Sequence, residues 1–147
     1  MTPAGGRDAG IPPLDGILET SLYVADLARA HRFYVGLMGF TALFGDDHLV
    51  ALDAGRRGVL LLFLQGAGRQ PTALPGGTIP AHDAAGHIHV AFAVPADALA
   101  AWEGRLAAHG VAVEGRTAWP RGGTSIYFRD PDGHLLELAT PGLWVTY

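Results

Sequence analysis

The sequence predicts an α+β fold made of two repeats, each a strand, a helix and three further strands. The same order of patterns runs through both halves of the 147-residue chain: an alternating strand, a helical stretch closed by glycine, and apolar strands separated by glycine-bearing turns. Equivalent positions keep a nearly constant offset, since Glu19 and His89 lie 70 positions apart and Gly39 and Gly110 lie 71 apart. An internal duplication of this length sets the architecture of the whole chain.

Composition narrows the classes of function open to this chain. It carries a net charge of −4 without a cluster of basic residues, which argues against binding of nucleic acid or anionic membranes. It has no cysteine, so disulfides, thiolate nucleophiles and sulfur-ligated metals are excluded. No apolar run approaches the length of a membrane span. We expect a cytoplasmic protein in which any metal is held by histidine and carboxylate.

Glycine and proline mark the boundaries of a single domain. The first residues are rich in both and lack the apolar core of a signal peptide, which is typical of a flexible lead. A second such stretch in mid-chain is long for a connection in a compact domain, and loops of that length are often functional or mobile. The predicted divisions are a lead over 1–15, one domain over 16–144 with repeats at 16–66 and 87–141 joined by a loop over 67–86, and a tail over 142–147.

The first repeat opens with a strand predicted over 16–24. Alternation puts Glu19 and Tyr23 on one face of that strand. Asp26 is a good N-cap for the helix that follows, and Gly39 can close the helix in a left-handed conformation. Three short strands complete the repeat at 40–44, 49–52 and 59–64.

The second repeat follows the same plan. A strand over 86–94 places His87 and His89 on one face. A helix over 95–109 is closed by Gly110, as Gly39 closes the first helix. The remaining strands are predicted to begin at 111–113 and to cover 124–128 and 134–139.

A carboxylate in the last predicted strand is the most informative single residue. Glu137 interrupts an apolar run that follows the tight turn 130–133, and alternation points His134 away from it. A buried charge must be paired, hydrogen-bonded or bound to a metal. The simpler alternatives are an edge strand with Glu137 in solvent, or a buried ion pair with an arginine. The neighbouring strand offers one polar face, formed by Ser125, Tyr127 and Arg129.

Three stretches, in this order, resemble the vicinal oxygen chelate superfamily, which includes glyoxalase I, extradiol dioxygenases, fosfomycin-resistance transferases and bleomycin-binding proteins. They are LETSLYVADLARAHRFYVGLMGF, HIHVAFAV and YFRDPDGHLLEL. The resemblance spans residues 16–144. It implies that the two βαβββ repeats wrap into an open barrel of mixed sheets around a divalent metal, with the helices on the outside.

The resemblance also implies a set of metal ligands. The ligand positions of the superfamily fall on Glu19, His89 and Glu137. One histidine and two carboxylates suit Zn²⁺, Mn²⁺, Fe²⁺ or Ni²⁺. Many members carry histidine or glutamine where this chain has Glu19. Glyoxalases add a fourth ligand from the first repeat, and here that place is taken by Leu61 or Leu62, which argues against glyoxalase I activity.

Four further side chains are candidates for the site. His82, in the connecting loop, would close over the site as a general acid or base, or else lie exposed. His87 would join His89 in an H-x-H pair, or lie on a solvated rim. Tyr127 would line the pocket or pack structurally. Arg129 would meet an anionic substrate, or form an ion pair near the turn.

We therefore predict a metal-dependent, glyoxalase- or dioxygenase-like enzyme acting on a small substrate with neighbouring oxygens. The alternative is a metal-free, bleomycin-type binding and resistance protein, whose groove would be lined by Trp119, Tyr127 and Trp144. Trp119 would otherwise be a lid or part of the core. Because members of the superfamily often complete one another's barrels, the resemblance also implies a homodimer. The apolar tail over 142–147 would contribute to that interface or pack within one chain.

Overall fold

The computed structural model describes residues 10–147 and shows the predicted α+β architecture of two repeats. Residues 1–9 of the predicted flexible lead lie outside the described residues. Residues 10–18 are exposed and form neither helix nor strand. No helix between residues 10 and 147 combines the length and the apolar character needed to cross a bilayer.

The first repeat forms a four-stranded sheet with a helix packed on it. Its elements in chain order are β1 (Glu19–Val24), α1 (Leu27–His31), β2 (Thr41–Gly45), β3 (Leu49–Asp53) and β4 (Val59–Leu64). The order across the sheet is β1-β4-β3-β2, and β1 and β4 are parallel. The predicted cap is present, because the Asp26 carboxylate accepts a hydrogen bond from the Arg29 amide at 3.0 Å. Past His31 the helix widens into a π-helical segment, Arg32–Leu37, which the spacing of apolar residues did not predict.

The connection between the repeats contains a hairpin that the sequence analysis missed. Its strands are β5 (Thr72–Leu74) and β6 (Gly77–Ile79), and all of their residues are exposed. Each strand is three residues long, too short for alternation to show. The connection is therefore partly structured rather than a plain loop.

The second repeat builds an equivalent sheet. Its elements are β7 (His89–Ala93), α2 (Leu99–Ala108) after one 3₁₀ turn (Ala96–Ala98), β8 (Gly115–Ala118), β9 (Thr124–Arg129) and β10 (Leu135–Ala139). The order across the sheet is β7-β10-β9-β8. The strand predicted to begin at 111–113 is wrong, because β8 begins at Gly115. The Val111 amide instead bonds to the carbonyl of Leu106 at 2.9 Å and closes the end of α2.

Strand register confirms the duplication and decides which residue of the first repeat is equivalent to Glu137. Glu19 pairs with Val59 in the parallel β1/β4 ladder, and His89 pairs with Leu135 in the parallel β7/β10 ladder. Glu19 and His89 are therefore equivalent positions. Two residues further along the partner strands stand Leu61 and Glu137, so the counterpart of Glu137 is Leu61 rather than Leu62.

Each sheet buries one face and leaves the other open. The helices cover one face of each sheet, and one cluster spans both repeats: Leu22, Val24, Ala30, Tyr34, Leu37, Met38, Val50, Leu52, Leu60, Leu62, Val94, Leu99, Leu106, Ile126, Phe128, Leu136 and Leu138. No strand pairing joins the two sheets within residues 10–147, so the open barrel is not closed in one chain. The faces opposite the helices, which carry Glu19 and Glu137, are the ones a barrel would enclose.

The turn between β9 and β10 fastens the second repeat to the first. Asp130 accepts a hydrogen bond from the buried Tyr34 hydroxyl at 2.7 Å, and Asp132 pairs with Arg29 at 3.0 Å. His134, also buried, donates from Nε2 to the carbonyl of Tyr23 at 2.8 Å. The orientation predicted for His134, away from Glu137, is confirmed. Three residues of the DPDGH stretch, Asp130, Asp132 and His134, thus join the repeats.

The two helices make a second junction. Arg105 of α2 donates to the carbonyls of Leu37 at 2.7 Å and Gly36 at 3.0 Å. Carbonyls at the end of a helix lack partners within the helix, so this guanidinium satisfies them and holds the helices together.

Candidate functional site

Glu137 lies in the middle of the second sheet rather than at its edge. Its strand, β10, is hydrogen-bonded to β7 on one side and β9 on the other, and the residue is only 5% exposed. Its polar partners are Ser125 and His89. Both simpler explanations are therefore wrong: the carboxylate is not on a solvated edge, and its partner is not an arginine.

One oxygen of the Glu137 carboxylate is held by a chain of hydrogen bonds. Glu137 Oε2 accepts from the Ser125 hydroxyl at 2.5 Å, and Ser125 Oγ accepts from the Trp119 indole N–H at 2.8 Å. An indole N–H can only donate, so the direction of both bonds is settled. Trp119, predicted as a lid or as core, is half-buried and helps to fix the carboxylate.

The other oxygen faces His89 in an arrangement that needs a cation. His89 Nδ1 lies 2.8 Å from the carbonyl oxygen of Leu135, and a carbonyl can only accept, so Nδ1 carries a hydrogen. In the neutral imidazole, Nε2 then presents a lone pair to Glu137 Oε1 at 3.1 Å. Two acceptors this close require either a proton or a metal ion between them.

The spacing of this pair fits two ligands of one metal ion. Ligand atoms about 2.1 Å from an ion, at angles of about 90–109°, are separated by about 3.0–3.4 Å. The observed separation of 3.1 Å lies in that range. A carbonyl on the far nitrogen of a histidine is also the usual support of a metal ligand. Because the His89 side chain is 48% exposed, water or substrate can reach the pair.

The third expected ligand is not with the other two. Glu19 begins β1, in the other sheet, and is exposed. Within the described part of the chain, no three His, Asp or Glu side chains are grouped so that they could hold a metal ion. One chain thus brings together His89 and Glu137 but not Glu19.

Of the remaining candidates, Tyr127 lies at the site, whereas Arg129 and His87 make structural contacts. Tyr127 is opposite Glu137 in the β9/β10 ladder, and its ring centroid is 6.4 Å from that of His89, so it lines the site. Arg129 forms an ion pair with Glu114 at 2.9 Å, which is the structural alternative stated for it. The ring of His87 packs on the turn, because a Cβ added to Gly133 would lie 2.6 Å from its Nε2.

His82 lies against the open face of the first sheet. Its Nδ1 is 2.6 Å from the Tyr23 hydroxyl, and its ring meets the Phe63 ring at 4.6 Å between centroids. Alternation had placed Tyr23 on the same face as Glu19, but nothing in the sequence linked it to His82, which lies 59 residues away. Burial and the charge of Asp83 raise the pKa of the Tyr23 hydroxyl, which therefore keeps its proton at neutral pH.

The aromatic groove predicted for a binding protein is only partly present. Trp119 and Tyr127 are half-buried on the second repeat, whereas Trp144 is exposed and makes no ring contact within residues 10–147. The tail packs within the chain at its last residue, because the Tyr147 hydroxyl donates to the carbonyl of Ala139 at 2.8 Å.

Comparisons with known proteins agree with the fold. A family model described as the Glyoxalase/Bleomycin resistance protein/Dioxygenase superfamily matches residues 16–138. The crystal structure of lactoylglutathione lyase from Agrobacterium tumefaciens is 33% identical, with a TM-score of 0.82 over 91% of this chain and 99% of that one. The fosfomycin resistance protein FosX from Mesorhizobium loti is 22% identical, with a TM-score of 0.63 over 91% and 97% of the two chains. A glyoxalase/dioxygenase from Nostoc punctiforme is 16% identical, with a TM-score of 0.65 over 92% and 98%.

The paired βαβββ repeats define an α+β protein in which each four-stranded sheet has one face that the helices do not cover. This chain belongs to the glyoxalase/bleomycin resistance protein/dioxygenase superfamily. The resemblance drawn from its three sequence stretches is confirmed.

Proposed function

We propose that the protein is a metal-dependent enzyme acting on a small substrate with neighbouring oxygens. The observation that carries the proposal is the contact between His89 Nε2 and Glu137 Oε1, at 3.1 Å. The carbonyl of Leu135 and the hydroxyl of Ser125 fix the orientation of both groups, so each directs a lone pair into one space. Zn²⁺, Mn²⁺, Fe²⁺ and Ni²⁺ all accept such a donor pair.

The third ligand in this proposal is Glu19 of a second copy of the chain. Glu19 and His89 occupy equivalent positions on sheets that one chain leaves open. The first repeat also exposes large apolar side chains beside Glu19: Ile17 is 87% exposed and Leu18 is 68% exposed. A homodimer that places the first sheet of one copy against the second sheet of the other would bury this surface and complete the site.

A divalent ion held there would act as a Lewis acid on the oxygens of a bound substrate. The chain itself supplies the surroundings of that substrate. Tyr127 lines the site beside His89, and Trp119 and Ser125 keep the Glu137 carboxylate from rotating. Ligands held rigidly in this way leave coordination positions of the ion free for substrate.

Lactoylglutathione is the first substrate to test, because the most similar of the structures described above carries the name of its lyase. Leu61 stands where a fourth protein ligand would be, so coordination here has one protein ligand fewer than that of glyoxalases as the superfamily resemblance describes them. Substrates that occupy two positions on the ion, such as 2-hydroxy acids and 1,2-diols, belong in the same panel.

Mixing two variants that each lack one metal ligand tests whether the site is shared between two chains. Glu19→Ala and Glu137→Ala each remove a ligand, so we expect each homodimer to lose its metal. If the chains pair at random, the mixture should recover roughly a quarter of the wild-type metal content, because hybrids form half of the dimers and hold one intact site each. Elemental analysis after gel filtration provides the measurement.

Two results of this experiment would contradict the proposal. Full metal content in Glu19→Ala would exclude that residue as a ligand. A wild-type protein that stays metal-free after incubation with each of the four ions would favour the metal-free binding protein instead, and binding of aromatic ligands would then be measured.

Ser125→Ala should weaken metal binding about 10- to 100-fold, because it removes the donor that holds Glu137 Oε2. Competition with a chromogenic chelator measures the affinity. Thr124→Ala is the matched control, since Thr124 precedes Ser125 on β9 and alternation directs its side chain to the face opposite Glu137. Affinity within twofold of wild type in Ser125→Ala would show that this hydroxyl does not orient the ligand.

A further inference from the structure

The connecting segment folds back on itself and fixes the position of His82. The His82 amide donates to the carbonyl of Gly68 at 2.8 Å, and Asp83 is held by Arg69 at 2.9 Å and by the Gly66 amide at 3.2 Å. The backbone at Gly68 and the backbone at His82 lie close together, because a Cβ on Gly68 would be 2.3 Å from the His82 carbonyl oxygen. The position of His82 is therefore set by backbone bonds and an ion pair independent of its own side chain.

The side chain of His82 is held by two aromatic residues. Tyr23 and Phe63 are stacked at 5.9 Å between centroids, and the His82 ring meets Phe63 edge-on at 4.6 Å. The Tyr23 hydroxyl bonds to His82 Nδ1 at 2.6 Å. His82 is half-buried, and its other ring nitrogen, Nε2, has no hydrogen-bond partner anywhere in residues 10–147.

The short bond to Tyr23 selects one tautomer of His82. A phenol is the stronger proton donor of the two and an imidazole nitrogen the stronger acceptor, so the hydroxyl donates and Nδ1 accepts. The hydrogen of the neutral ring then resides on Nε2. His82 consequently offers a fixed N–H donor, whose polarity matches an anionic or carbonyl oxygen.

Tyr23, which bonds to His82, is on the same face as Glu19 and at a defined distance from it along β1. Glu19 and Tyr23 are four residues apart on β1, which is about 13 Å at about 3.3 Å per residue. A substrate chelated at the Glu19 end of the strand would reach the Tyr23 end only if it were elongated.

We infer that Tyr23 and His82 form a second substrate-binding site, in which His82 Nε2–H binds a carboxylate or carbonyl oxygen at the far end of an elongated substrate. His82 contacts that oxygen, and Tyr23 is the positioning residue that sets the tautomer of His82. This inference rests on the proposed function, because it places the chelated end of the substrate at Glu19.

The tautomer can be measured without metal or substrate. Long-range ¹H–¹⁵N correlation spectra at pH 7.5 distinguish the two ring nitrogens, and the signal missing from His82→Ala identifies the residue. We expect the Nε2–H form in the wild type and a mixture of tautomers in Tyr23→Phe, which keeps the stacking on Phe63. A wild-type ring protonated at Nδ1 would overturn the inference whether or not the protein binds metal.

The acceptor site is tested with a matched pair of probes, 2-hydroxydecanedioate and 2-hydroxydecanoate, which share the neighbouring oxygens and differ in the terminal carboxylate. By calorimetry we expect the diacid to bind the metal-loaded wild type about tenfold more tightly than the monoacid. His82→Ala should remove that preference and Tyr23→Phe should reduce it, both without loss of metal, and His48→Ala should leave the preference as it is in the wild type.

Each outcome has one meaning. Equal affinities of the wild type for both probes, or a preference that survives in His82→Ala, would overturn the inference even if the metal is present. Absence of metal would overturn the proposed function and, with it, the elongated chelated substrate, whereas the tautomer of His82 is read without metal and tests the Tyr23–His82 contact by itself.

Discussion

Glu137→Gln should reduce the affinity for divalent metal at least about 100-fold, more than the 10- to 100-fold expected for loss of a supporting residue. The substitution keeps the shape of the side chain but removes its charge. The new amide can also donate to His89 Nε2, which satisfies the lone pair that otherwise requires a cation at 3.1 Å. The variant should therefore fold at least as well as the metal-free wild type while failing to hold the ion.

Metal content by elemental analysis and melting temperature with and without added Zn²⁺ measure this effect. The wild type should melt at higher temperature with the ion, and Glu137→Gln should not respond. Glu114→Gln is the matched control, because Glu114 is a carboxylate of the same repeat that pairs with Arg129 instead. A Glu137→Gln protein that retains its metal would remove the basis of the proposed function.

Asp130→Ala should lower the free energy of unfolding by about 3–5 kcal/mol, because it leaves three donors without a partner, two of them buried and one partly buried. Those donors are the Tyr34 hydroxyl at 2.7 Å and the amides of Asp132 and His134, both at 2.9 Å. The cost should appear as one cooperative loss, since a single core cluster spans both repeats.

Urea denaturation followed by circular dichroism measures the loss. Asp47→Ala, in an exposed turn, should change the stability by no more than about 0.5 kcal/mol. A loss below about 1 kcal/mol in Asp130→Ala would mean that water replaces the missing oxygen atoms and that the turn does not fasten the repeats together.

The same junction should make the protein sensitive to alkali. Burial, followed by the charge of Asp130, raises the pKa of Tyr34 far above its usual range, so the folded state keeps a proton that the unfolded state loses above about pH 10. Stability from this group is complete below pH 10 and falls by up to about 1.4 kcal/mol for each pH unit above it. Urea midpoints from pH 8 to 11 should fall less steeply in Tyr34→Phe, whereas an unchanged slope would exclude Tyr34 as the responsible group.

Most of the fold follows from local sequence patterns. Alternation identified β1, β7 and β9, and apolar runs after glycine-bearing turns identified β4 and β10. The glycines that end the helices adopt the predicted left-handed conformation, with φ of 79° at Gly39 and 71° at Gly110. The misplaced strand at 111–113 and the missed hairpin at 72–79 have separate causes. The hairpin strands are three residues each, too short for alternation to show, and the Val111 amide bonds to the Leu106 carbonyl at the end of α2 instead of beginning a strand.

The site was predicted less completely than the fold. Alternation grouped Ser125 and Tyr127 on one face of the strand next to that of Glu137, and the duplication made Glu19 and His89 equivalent. Neither pattern could show that His89 is oriented by the carbonyl of Leu135, or that the loop returns His82 to Tyr23. Contacts between residues far apart in the chain depend on how the elements pack.

By itself, then, the sequence determined the repeated βαβββ plan, the absence of cysteine chemistry and the face on which each polar residue stands, because these depend on neighbours along the chain. Only the tertiary structure decided which of those residues meet. It brought His89 and Glu137 within 3.1 Å, used Asp130 and His134 to join the repeats, and left Glu19 on an open sheet. The physical reason is that parallel pairing and packing of the two halves connect positions tens of residues apart, which no local pattern encodes.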